Sequence, residues 1–114
     1  MGRLRSRLRP VAAELVGPAF FPTEPPILHL AVTPTRELLE MHRSALQALD
    51  DAGVDAWPHY CVDAWVPHCT LSMGVPHERL GDALAAALRA PLPMRTTLGE
   101  PRLTDSETGE TRPL

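Results

Sequence analysis

Apolar positions along the chain fall into two rhythms. Val11–Phe21, "VAAELVGPAFF", is apolar with a Gly-Pro break in its middle, the pattern of a kinked strand. "PTEPP" at 22–26 is turn chemistry. "ILHLAV" at 27–32 is a short continuous apolar run fenced by prolines, which reads as a buried strand. The rhythm then changes to helical spacing in "TPTRELLEMHRSALQALDDAG", with Leu38, His42, Ala45, Leu49 and Ala52 on one stripe beside Leu39 and Leu46. Thr33 before Pro34 offers a cap with proline at the first helical position, and Gly53 is the stop.

Residues 54–66 show no period. "PHCTLSMGV" at 67–75 returns to a strand, and 76–90 reads as a second amphipathic helix with Leu80, Leu84 and Leu88 on its face. The end of the chain, from "PMRTTL" to "TRPL", reads as a strand and a hairpin turning near "DSETGE". The order β, β, α, β, α, β-hairpin predicts an α+β fold, an antiparallel-rich sheet with two helices packed on one face.

Composition narrows this picture. A chain of 114 residues makes one domain with a modest core, and with 4% aromatics that core rests on Leu, Val and Ala. All 11 basic residues are Arg, an imprint of genomic composition rather than of function. The net charge of −3 excludes a general polyanion-binding field. One local asymmetry remains: "MGRLRSRLRP" holds four arginines and no acid, a basic N-terminal arm over 1–10 preceding a domain over 11–114. A solvated terminus is the simpler reading, and an arm that contacts phosphates is the other. The arm lacks the apolar stretch of a signal peptide, and no run is long enough to span a membrane, so a cytoplasmic protein is expected. Cys61 and Cys69 are too few for a disulfide scaffold and are expected reduced, Cys69 as a small buried residue.

The candidate chemistry sits in "WVPHCTLSMGV", Trp65–Val75. Strand side chains alternate, so His68, Thr70 and Ser72 are expected on one face and Cys69, Leu71 and Met73 on the other, packed under the helices. Residues two apart lie about 6.5–7 Å from one another along a strand, a span across which an imidazole and a hydroxyl can hold one phosphate or carboxylate. Histidine exchanges a proton near neutral pH. Spacing alone leaves a structural histidine open. Tyr60 and Trp65 flank the stretch, either packing at its end or forming a stacking wall for a nucleobase. Arg95 and Arg102 are further candidates for meeting a phosphate. His42 lies on the apolar stripe of the first helix and reads as structural. His59, Cys61, His68 and Cys69 match no standard zinc spacing, so no metal and no cofactor is expected.

"WVPHCTL" resembles the signature of the 2H phosphoesterases, the superfamily of 2'-5' RNA ligases and cyclic nucleotide phosphodiesterases. Its hallmark is a Pro-His-x-Thr strand among hydrophobic residues. "FFPTEPPILHLAVTPTRELLEMHRSAL" is similar to the family's stretch before its second motif, and the final hairpin also fits. The resemblance covers the chain from about Val11 onward. It implies a bilobal fold in which each lobe supplies one His-x-Thr/Ser facing a shared groove. One histidine is the base and the other the acid on a 2',3'-cyclic phosphate or a 2'-5' phosphodiester. The hydroxyls hold phosphoryl oxygens, and no metal takes part.

Only one full motif stands in this sequence. His29, 39 positions before His68, is followed by Leu30 and Ala31 where a Thr or Ser belongs two places on, and it fits better as an ordinary strand residue. The resemblance therefore implies a fold lacking part of the first lobe, its first motif upstream of Met1. Three explanations stay open: a shortened chain with a half site, two copies that pair to rebuild a two-motif groove, or phosphate binding without turnover. The expected function is a metal-independent phosphodiesterase on RNA ends or cyclic nucleotides. His68 is its general acid or base, Thr70 holds a phosphoryl oxygen, and Tyr60, Trp65 and Ser72 contact substrate. The alternative is a catalytically inactive nucleotide or RNA-end binding module. The expected partner is an RNA end or a cyclic nucleotide, with a homodimer that completes the groove as one of the open explanations and no membrane.

Overall fold

The computed structural model describes residues 9–55, 58–61, 63–104 and 107–113, apart from the side chains of His59, Arg112 and Pro113. Most of the basic arm lies outside the described residues; Arg9 and Pro10 are exposed. The elements are β1 (Val11–Phe21), β2 (Ile27–Val32), α1 (Arg36–Asp51), a 3-10 turn (Pro58–Tyr60), β3 (His68–Ser72), α2 (Leu80–Ala87), β4 (Met94–Leu98), β5 (Arg102–Thr104) and β6 (Thr111–Pro113). The fold is α+β, with a four-stranded sheet in the order β3-β2-β1-β4 and a two-stranded sheet β5-β6. Chain packing divides it into two compact units, one formed by Ala13–Pro34 with Pro67–Thr96 and the other by the remainder.

The first unit holds the body of the four-stranded sheet and α2. β2 pairs antiparallel with β1 on one side and with β3 on the other. It is the buried strand that the continuous apolar run predicts. Leu28 and Leu30 are buried toward one face and His29 toward the other. Ala13 and Val75 are also buried in this unit, and each fully buried leucine contributes about 1.5–3 kcal/mol. The kink expected in β1 appears as a register shift between Leu15 and Gly17. At one end of β2 the Val32 amide donates to the Pro67 carbonyl (3.2 Å), and near the other the Val75 amide donates to Pro26 (2.9 Å). Pro67 lacks an amide hydrogen, yet as a strand entry it still offers its carbonyl.

Two expectations fail in this unit. Cys69 is exposed, and Leu71 and Met73 keep 48% and 71% of their surface, so this set does not pack under a helix. Among the described residues β3 is the edge strand of its sheet, paired on one side only. The second helix begins at Leu80 after a 3-10 turn at His77–Arg79. Leu84 and Leu88 are exposed, while Leu80, Ala83 and Ala87 are half-buried. Leu80, Ala83 and Ala87, spaced by three and four, form one side of the helix.

In the second unit, α1 starts later than the sequence suggests. Its cap is Thr35, whose hydroxyl accepts from the Leu38 amide at 3.2 Å. Thr33 has another use in its own unit: its hydroxyl donates to Glu14 Oε1 at 3.2 Å and its amide to the Glu14 carbonyl at 3.0 Å. Gly53, with φ of 74°, ends the helix as expected. Leu38 is buried at 1% exposure, whereas Leu39 beside it is exposed. The hairpin β5-β6 is also as read, with Arg102 donating to the Thr111 hydroxyl at 3.4 Å. No described helix is long and apolar enough to cross a membrane.

Candidate functional site

The register of β2 against β3 sets the site. Thr70 lies directly opposite His29, and His68 opposite Ala31. Directly opposed residues in an antiparallel pair share a face, so His29, Ala31, His68 and Thr70 point the same way. On β1 the same face continues through Gly17 and Ala19, the partners of Ala31 and His29. Beside the two imidazoles the sheet therefore carries three small residues.

The rings of His29 and His68 form a diagonal pair with centroids 5.4 Å apart and planes at 69°. Phe21 closes the cluster. It stacks on His29 at 4.0 Å and meets His68 in a T at 4.7 Å. Burial differs across the face: His29 is 3% exposed, His68 is half-buried and Thr70 is exposed. Burial, and next the neighbouring charge of His68, hold the His29 pKa below the usual 6.5, while the Ile27 backbone pulls weakly upward. His29 Nδ1 is buried without a hydrogen-bond partner, an omission that costs about 1–3 kcal/mol.

Ser72 does not join this face, contrary to expectation. The pairing shifts between Leu28 and His29, so that Thr70 opposes His29 but Ser72 opposes Leu28. Leu71 is the extra residue of this bulge, and a bulge breaks strict alternation. Ser72 instead lines a cavity of about 330 Å³ with Gly74, Val75, Arg79 and α2 residues such as Ala83. Arg95 is exposed and approaches Glu14 at 3.9 Å.

Tyr60 and Trp65 belong to the second unit. Tyr60 is exposed in the 3-10 turn. Trp65 is half-buried, and one face of its indole is stacked on His42 at 3.9 Å with planes 7° apart. Burial holds the His42 pKa below 6.5 against an opposing hydrogen bond to the Tyr60 backbone, and His42 Nε2 is buried without a partner. Among the described residues, no three His, Cys, Asp or Glu side chains gather as metal ligands. The His59 side chain, part of the zinc cluster weighed above, lies outside the described residues.

The family model of the 2'-5' RNA ligase superfamily matches residues 2–110. The chain belongs to the 2'-5' RNA ligase superfamily. This is the family that the Pro67-His68-Cys69-Thr70 strand resembles, and the α+β sheet with two helices is consistent with its fold. No curated protein and no solved structure matches this superfamily member.

Strand alternation did not single out Phe21, and it set His29 aside as an ordinary strand residue, yet both rings lie against His68. Alternation within one strand reveals same-face neighbours on that strand alone. The partners on β1 and β2 are set by register across a 35-residue connection between β2 and β3, which one strand's pattern does not encode.

Proposed function

We propose that this superfamily member is a metal-independent phosphodiesterase acting on 2',3'-cyclic phosphate or 2'-5' phosphodiester ends of RNA or nucleotides. The observation that supports it is the shared face of His68 and Thr70, with the imidazole half-buried and the hydroxyl exposed. Opening a cyclic phosphate with water requires one proton to leave the water as its oxygen bonds to phosphorus. Another must reach the ribose oxygen as its bond to phosphorus breaks. His68 carries out one of these transfers. Thr70 donates its hydroxyl hydrogen to a non-bridging oxygen, where negative charge builds.

One His-x-Thr supplies one imidazole, and a second copy of the chain is one source of the other. The place of the motif supports this arrangement: among the described residues it stands on an edge strand, with Leu71 and Met73 exposed.

Phosphorus-31 spectra of adenosine 2',3'-cyclic phosphate incubated with the protein test the reading. Conversion to a monophosphate is expected. A saturable shift without conversion means the binding-module alternative. An unchanged spectrum contradicts both.

A further inference from the structure

The geometry points to His29 as a positioning residue that fixes the imidazole of His68 above the Thr70 face. The inference deepens the phosphodiesterase reading and rests on it for its kinetic consequence alone. Three rings carry it. Phe21 is stacked on His29, and both rings lie against His68, one at 4.7 Å and the other at 5.4 Å. His68 stands half-buried at the first position of β3. Contact with a flat ring on each of two strands restricts the rotamers open to its imidazole.

His29 is not the missing acid or base. In-line displacement sets the attacking and leaving oxygens on opposite sides of phosphorus, so its two proton-transfer groups must straddle the phosphate. His29 and His68 stand side by side, and the His29 ring is 3% exposed with its Nδ1 buried. Burial and the neighbouring His68 both disfavour a proton on His29. Its influence passes through the placement of His68.

Two substitutions separate ring packing from nitrogen chemistry. His29→Phe keeps a flat ring and removes the orphaned nitrogen. His29→Leu fills the space without a flat ring, and His29→Met replaces it if the leucine variant does not fold. The direct readout is the set of nuclear Overhauser contacts between the His68 and Phe21 ring protons. These contacts are expected in the wild type and in His29→Phe, and are expected to be lost in His29→Leu. His29→Phe should melt no lower than the wild type. On 2',3'-cyclic nucleotide, His29→Leu should lower kcat about tenfold with KM little changed, the signature of a misplaced catalytic group. His29→Phe should stay within about threefold of the wild type by the same reasoning. Intact His68–Phe21 contacts in His29→Leu overturn the inference. So does a His29→Phe protein that keeps the contacts yet loses turnover, because the nitrogens would then act directly. A wild type without turnover defeats the phosphodiesterase reading instead, and the ring contacts still decide the role of His29.

Discussion

His29 and Thr70 are direct cross-strand partners, yet one is buried and the other exposed. The same face thus offers a sheltered imidazole and an open hydroxyl one strand apart. Substitutions at these two positions have different consequences. Changes at His29 disturb packing, whereas changes at Thr70 affect what the face presents to a ligand.

Thr70→Val keeps a β-branched side chain on an edge strand and deletes the hydroxyl. A hydrogen bond to a charged phosphoryl oxygen is worth about 1.5–3 kcal/mol, so kcat/KM on a 2',3'-cyclic nucleotide should fall about 10- to 100-fold. The melting temperature should not move, since Thr70 is exposed. Steady-state kinetics beside a thermal melt read both. Unchanged turnover in an active protein removes Thr70 from the chemistry.

Acid should destabilise the fold through its two sheltered histidines. Burial holds His29 and His42 below 6.5 in the folded protein. Between the folded and unfolded values the unfolded chain binds more protons, so stability rises with pH. This contribution is complete above 6.5 and is lost as pH falls through the lower folded values. Melting temperatures at about pH 7.5 and about pH 5 should differ, and His42→Phe, which keeps a ring on Trp65, should narrow the gap. Equal gaps in the two proteins contradict the burial of His42 as a neutral ring.

Leu38→Ala should cost about 2–5 kcal/mol, because the side chain is 1% exposed and its removal leaves a cavity. Leu39→Ala, one residue along the same helix at 42% exposure, should stay within about 0.5 kcal/mol. Urea denaturation of the pair reads the contrast. Equal losses would mean that α1 is rotated from the orientation described.

A second copy that completes the site should be visible as mass. Light scattering is expected to give a dimer, and Met73→Glu, which places a charge at a 71% exposed apolar position, should weaken both association and turnover. A monomeric protein with full turnover contradicts the two-copy arrangement.

Much of the fold was legible because it follows from local chemistry. The prolines around Ile27–Val32 and the stop at Gly53 depend on neighbours in sequence, and they fall where the sequence places them. The family was legible for the same reason, since Pro67, His68 and Thr70 lie within four residues. Ser72 was misplaced because a bulge at Leu71 is a property of two strands together. Leu71, Met73 and Leu88 were read as covered because they are apolar, whereas their burial depends on what packs against β3 and α2. His29 was set aside because Ala31 breaks the motif, and its contact with His68 exists only through register.

The most direct test is hydrolysis of a 2',3'-cyclic nucleotide by EDTA-treated protein, with His68→Ala measured alongside. The expected result is turnover that survives the chelator and disappears in His68→Ala while the fold, checked by circular dichroism, is retained. Turnover that persists in His68→Ala, or a folded wild type that neither binds nor hydrolyses the nucleotide, would contradict His68 as the centre of the site.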